Sequence, residues 1–258
     1  MPLFTFRSLR LYVLFACLLF SAVYTVHQLK YSRGWHVPLP VVIYPINADG
    51  SDATARYIER LSLDDFEDIQ HWFEREARRF ELVNPKPVEI ALGTQIDNLP
   101  PELPSYNNMF VNMVWGLSFR WWVFRHAPDD SQGLARVRVF VLYHGDRLKR
   151  LPHSLGLQKG LLGLVNAYSL PSQSRQNNVV IAHEVLHTVG AVDKYRYDGH
   201  PVFPVGYGNP DRKPLHPQRS AEIMAGRIAL SFGRSQMAHS LRSAVVGPDT
   251  AREINWVQ

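Results

Sequence analysis

The run His183-Glu184-Val185-Leu186-His187-Thr188-Val189-Gly190-Ala191-Val192-Asp193 carries more information than any other part of the chain. On a helix, His183 and His187 fall one turn apart on the same face, so both imidazoles reach a single metal ion at about 2.0–2.1 Å. Glu184 then stands beside the metal rather than on it. A carboxylate there can take a proton from water whose pKa the metal has lowered toward about 7. Gly190 is the residue that most easily adopts the left-handed turn ending a helix. Asp193 follows it and can return as a third ligand, leaving the fourth position to water, the open coordination that separates a catalytic zinc from a structural one. Val185, Leu186 and Val189 supply the apolar surface of the same helix. The expectation is a single catalytic Zn2+ held by His183, His187 and Asp193, with Glu184 as general base. The blander readings are an amphipathic helix with two surface histidines, or a core histidine beside a buried acid. A variant of the enzymatic reading keeps both histidines and draws its third ligand from Glu222.

The pattern HExxHxxGxxD resembles the zinc signature of the metzincin metallopeptidases, in the form where aspartate replaces the third histidine. Ala221-Glu222-Ile223-Met224-Ala225-Gly226 resembles the methionine turn of that clan, and the resemblance spans roughly residues 178 to 226. It implies an α+β, metzincin-like catalytic domain: a mixed twisted sheet backed by helices, with a zinc helix and a Met-turn whose Met224 is an apolar floor rather than a ligand. It further implies a protein or peptide substrate that pairs, as an added strand, with an edge strand above the cleft. The segment Leu164-Val165-Asn166-Ala167-Tyr168 is the candidate for that edge, with an interior strand or glycine-rich loop as the alternative. Some metzincins place a tyrosine two residues beyond the turn methionine, where this chain has Gly226. Transition-state stabilisation must then come from elsewhere; Tyr195 is the first candidate, with His200, Tyr207 and His216 in the same segment. An aspartate ligand also adds negative charge, which makes the metal a weaker Lewis acid than a three-histidine site would.

The N-terminus bears on location. Leu11 to Val26 is strongly apolar, no Asp, Glu, Lys or Arg occurs from Leu11 to Leu29, and Arg7 and Arg10 precede it. Lys30 and Arg33 follow, and no clear small-x-small cleavage site ends the segment. This favours an uncleaved anchor in a single-pass membrane protein: residues 1–33 as a cytoplasmic stub, transmembrane signal anchor and juxtamembrane linker, and 34–258 as an extracytoplasmic (periplasmic or extracellular) domain. Secretion after signal-peptide cleavage is the alternative. Positive charges on the two sides nearly balance, so they do not fix orientation. Cys17, the only cysteine, lies in the apolar segment, so the domain has no disulfide and no thiolate metal ligand. A net charge of +5 suits an anionic membrane surface and equally serves solubility. No internal repeat or basic nucleic-acid motif appears, so nucleic acid is not an expected partner, and the leader is too short for a convincing propeptide.

Along the domain, Val41-Val42-Ile43-Tyr44 is a β-prone run between prolines. Ser62 with Asp65 opens a helix whose Phe66, Ile69, Phe73, Ala77 and Phe80 recur at helical spacing. Val88–Leu92 and Val137–Tyr143 read as strands, the second placing Val137, Val139 and Val141 on one side and Arg138, Phe140 and Leu142 on the other. Met109 to Phe124 packs Phe110, Trp115, Phe119, Trp121, Trp122 and Phe124 around Arg120, reading as a core helix, with a membrane-surface helix as the alternative. Residues 194–220, rich in proline, glycine and tyrosine, are expected to wall a cleft. Together these predict a membrane-anchored zinc endopeptidase. The contrasting possibility is a tethered binding or assembly protein whose zinc is purely structural and turns nothing over.

Overall fold

The computed structural model describes residues 6–104, 108–127, 136–145, 151–158 and 160–257. Its centre is a five-stranded mixed sheet of β1 (Leu39–Asn47), β2 (Val88–Leu92), β3 (Val137–His144), β4 (Leu155–Leu157) and β5 (Leu162–Tyr168), in the order β2-β1-β3-β5-β4. The β1–β2, β1–β3 and β3–β5 pairs are parallel, and β4 runs antiparallel to β5. Central parallel strands must be covered on both faces, and the alternation read from β3 shows how. Val137, Val139 and Val141 join Val41 and Ile43 of β1 in one apolar cluster, while Phe140 joins Val42, Tyr44 and Ile46 in another.

Helices α1 (Phe6–Ser32), α2 (Asp52–Glu59), α3 (Glu67–Arg79), α4 (Met109–His126), α5 (Ser174–Thr188) and α6 (Pro248–Glu253) complete the main elements. Helix α3 begins later than the spacing predicts, because Ser62 and Asp65 cap a short 3-10 turn, Leu63–Phe66, with the Asp65 carboxylate accepting the Ser62 N–H at 2.9 Å. Its Ile69, Phe73 and Trp72 pack with Val179, Ile181, Ala182 and Val185 of α5 on the first face of the sheet. Each such side chain removed from water contributes about 1.5–3 kcal/mol. The second face is covered by α4 alone among these helices, through Trp115, Phe119, Trp122 and Val123. Phe119 and Trp122 meet Phe140 edge-on at 5.8 and 5.2 Å. The core-helix reading of this segment therefore holds for half its circumference, since Phe110, Leu117, Trp121 and Phe124 are exposed.

After α5 the chain forms loops, a two-residue strand β6 (Ala221–Glu222), the hairpin β7 (Arg227–Ser231) and β8 (Arg234–Met237), and β9 (Ala244–Val245), which pairs with β6. The Leu164–Tyr168 edge strand is corrected. Strand β5 pairs with β3 along its whole length and with β4 over Leu162–Leu164. Beyond that, the Ser154 hydroxyl accepts the Asn166 N–H at 3.0 Å, and Asn177 of α5 holds both the N–H and the carbonyl of Tyr168. No stretch of β5 is left for an added strand; the last strand on this side, among the described residues, is β4.

Helix α1 includes a span of 25 residues, Ser8–Ser32, whose most apolar 18-residue stretch has a mean hydropathy of 1.9 and no buried residue. At 1.5 Å per residue it is about 37 Å long, enough to cross a bilayer core of about 30 Å or to act as a signal sequence. The cytoplasmic stub expected at the start of 1–33 lies partly outside the described residues. The other end is rooted: Trp35 is buried against Trp256 at 5.8 Å, and its indole N–H donates to the Ile254 carbonyl at 2.6 Å.

Candidate metal centre

Helix α5 ends in a Schellman turn. Gly190, at φ +106, lets its own N–H reach the His187 carbonyl at 3.1 Å and the Ala191 N–H reach the Leu186 carbonyl at 3.0 Å. This turn does more than stop the helix. It swings the Ala191 carbonyl back to 2.8 Å from His187 Nδ1. A carbonyl only accepts, so Nδ1 carries the hydrogen and Nε2 keeps its lone pair. His183 is fixed the same way by the Ile223 carbonyl, 2.9 Å from its Nδ1. Ile223 belongs to the turn resembling the methionine turn, so the two motifs meet at this hydrogen bond.

The two freed nitrogens face one another. His183 Nε2 and His187 Nε2 are 3.0 Å apart, and Asp193 Oδ1 lies 3.2 and 3.1 Å from them. Three acceptors form a nearly equilateral triangle, and such a set is stable only with positive charge among them. A tetrahedral zinc with bonds of about 2.0–2.1 Å needs ligand edges of about 3.3–3.4 Å, close to what is present. His183, His187 and Asp193 thus fit a zinc-sized cation by donor type, tautomer and spacing. Without an ion a proton serves instead. Burial pulls His183 down, but the Asp193 hydrogen bond and the Glu184 charge push it up to about 9, and the same two histidines hold Asp193 well below the usual carboxylate range against its own burial.

Glu184 lies beside this triangle, almost wholly buried, and its Oε2 has no hydrogen-bond partner among the described residues. Burial raises its pKa, with the two histidines opposing. An orphaned carboxylate oxygen next to three converging acceptors costs stability. His183 and Glu184 line a cavity of about 300 Å³ whose other walls are Pro152–Ser154, Val179, Val180, Tyr195, Gly199, Ala225–Arg227 and Met237. Tyr195 donates its phenol to Asp193; burial and the charges of Asp193 and Glu184 raise its pKa, keeping it a neutral donor.

The other candidates are dispersed. His200 Nδ1 pairs with the Ser235 hydroxyl at 3.2 Å, and Tyr207 packs between Phe203 and His216. Residues 194–220 therefore supply part of the cleft wall, through Tyr195 and Gly199, and β7–β8 with the turn supply the rest. Glu222 is corrected as a ligand. Its Oε2 accepts from the Met224 and Ala225 N–H groups at 2.7 and 3.1 Å, and its Oε1 from the Gly247 N–H and the Thr250 hydroxyl at 3.1 and 2.6 Å. It is the buried peg that shapes the turn around Met224, itself fully buried.

Three contributors were not foreseen. Glu253 of α6 accepts from the Val192 N–H at 3.0 Å and from Lys194 Nζ at 2.7 Å, gripping the chain on both sides of Asp193. The Lys194 N–H meanwhile donates to the Met224 carbonyl at 3.0 Å. Gly156 of β4 presses on α5 so closely that a Cβ there would stand 2.5 Å from His187 Cβ and 2.6 Å from the Glu184 carbonyl. No motif announces any of these, because each acts across a long sequence separation.

Comparison with known proteins finds no matching family model and no matching curated protein.

Proposed function

We propose that the protein is a membrane-anchored zinc endopeptidase, similar to the metzincins in its site. The observation that carries this reading is the triangle of two oriented imidazoles and a carboxylate with Glu184 orphaned beside it. His183, His187 and Asp193 would hold zinc, which when bound supplies a Lewis acid that acidifies water and polarises a carbonyl. Glu184 is the proton acceptor: its raised pKa and its free oxygen suit it to take a proton from the attacking water and to return it to the departing amine. Tyr195, a neutral phenol in the cleft, would turn its single O–H from Asp193 to the scissile oxygen to supply the hydrogen bond that charge developing there needs.

Strand β4 takes over the role first given to β5. It is the edge strand at the end of the sheet opposite β2, and Gly156 seats it directly on the proposed metal helix, so an extended peptide paired with it would run past Glu184. The anchor reading rests on α1, long and apolar enough to span, and on the rooting of Trp35 in the domain directly after it.

The test is digestion of an unbiased peptide mixture by the full chain in detergent, read by mass spectrometry. Cuts should appear with zinc, vanish with a chelator, and return on zinc addition. A zinc-loaded protein that cuts nothing would favour the structural-metal reading instead.

A further inference from the structure

The outward side of α4 has no place in the proposed chemistry. Phe110, Val114, Leu117, Trp121 and Phe124 alternate at four and three residues, forming one apolar stripe along the helix, and all are exposed, Phe124 by 75 %. A stripe of about 20 Å of exposed aromatic and aliphatic side chains is costly in water and marks a contact surface. Its charges are confined to the C-terminal end, where Arg120, Arg125 and His126 lie and Arg125 caps the Trp121 ring at 6.0 Å.

Arg120, towards the same end, is connected to the root of α1 through the end of β4. Arg33, directly after α1, hydrogen-bonds the Glu253 carbonyl and packs against Gly190, where a Cβ would stand 3.5 Å from Arg33 Cζ and 2.9 Å from Gln158 Nε2. Gly160, two residues on from Gln158, faces Arg120, with 3.8 Å from a Cβ there to the guanidinium Nε. Two residues span at most about 7 Å. Arg33 and Arg120 thus approach positions only two residues apart in the chain, Arg33 through Gly190 beside Gln158 and Arg120 at Gly160. Because Trp35 is buried in the core, little slack separates α1 from the domain.

We infer that the exposed stripe of α4 lies in the membrane interface, Phe110 to Phe124 among the acyl chains and Arg125 at anionic headgroups, so that the domain rests on the bilayer. The composition fits this occupant: aromatic rings favour the interface, and basic side chains at one end match negatively charged lipid. The inference uses the anchor reading proposed above to bring the domain to the surface, and the experiment separates the two.

The full chain carrying Cys17→Ser receives one cysteine at a time, Leu117→Cys or Phe124→Cys on the stripe, Phe15→Cys in α1, and Val83→Cys at a 93 % exposed site on the α3–β2 connection. Each is labelled with an environment-sensitive fluorophore and reconstituted in phosphatidylcholine vesicles containing phosphatidylglycerol and doxyl-labelled lipid. The expected result is quenching at Leu117 and Phe124 about threefold or more above that at Val83, as befits a helix seated about 5–10 Å into the headgroup boundary. Quenching at Phe15 with none on the stripe would overturn the inference and leave the anchor standing. Quenching on the stripe with none at Phe15 would uphold the inference and overturn the anchor. Stripe labels that shift to the blue without lipid quenching would overturn it in favour of a protein partner, a second copy included, and no quenching at either would overturn both.

Discussion

Helices α5 and α4 cover opposite faces of one sheet and depart from ordinary burial in opposite directions. Helix α5 takes polar groups inward: Glu184 is buried with an oxygen unpartnered, and two imidazoles aim their lone pairs at a carboxylate. Helix α4 leaves apolar groups outward: five large side chains alternate along its exposed side. Buried polar groups without partners and exposed apolar stripes are the two arrangements that folding alone does not favour. The proposed metal site rests on the first departure and the inferred bilayer contact on the second.

The sharpest way to break the contrast is on the α5 side. His187→Ala removes one acceptor of three, and zinc content measured by plasma emission should fall from one ion per chain to near none, with the loss of peptide cleavage following it. Retained zinc would mean that the triangle is not the metal site. Next come paired substitutions on α4. Phe119→Ala, on the buried side against Phe140, should cost about 3–5 kcal/mol, whereas Phe124→Ser, on the exposed side, should stay within about 0.5 kcal/mol in detergent by chemical denaturation. Equal costs would show that the outer stripe is packed after all.

Smaller effects probe how the ligands are held. Glu253→Gln weakens the grip on Val192 and Lys194, and zinc affinity by competition with a chelating dye should drop by about tenfold; an unchanged affinity would show that Asp193 is positioned without it. The pH dependence of the metal-free protein is smaller still. His183, raised to about 9 from 6.5, contributes stability that is fully present below pH 6.5 and lost as pH rises through 9. Asp193, lowered from 3.8, contributes stability present above pH 3.8 and lost as pH falls below it. The metal-free melting temperature should therefore be highest between these limits and decline above pH 7, while zinc uptake near pH 8 should release a proton that calorimetry in buffers of different ionisation enthalpy detects. No proton release would mean that His183 is already neutral.

Local signals carried much of the architecture. The alternation of Val137 to Leu142 assigned β3 and both its faces, the spacing of Ile69, Phe73 and Ala77 located α3, and the ligand spacing placed His183, His187 and Asp193 together, because a helix turn and a glycine turn are properties of a few neighbouring residues. What was illegible depends on distance along the chain. That β5 is covered by β4, that Glu222 is spent on Met224 and Thr250, and that Glu253 grips the Asp193 loop are all set by tertiary pairing between segments with no shared periodicity. The two-sided character of α4 was hidden for a related reason: a helix apolar on both sides has no amphipathic pattern, so only the packing tells which side meets the sheet.

Glu184 is the residue on which the account turns, since a structural metal needs no base beside it. Glu184→Gln in the full chain, compared with the unmutated protein for zinc content and for cleavage of the same peptide mixture, tests it directly. The expected result is one zinc in both proteins and cleavage slowed at least about 100-fold in the variant. Full zinc with undiminished cleavage in the variant, or full zinc with no cleavage in either protein, would contradict it.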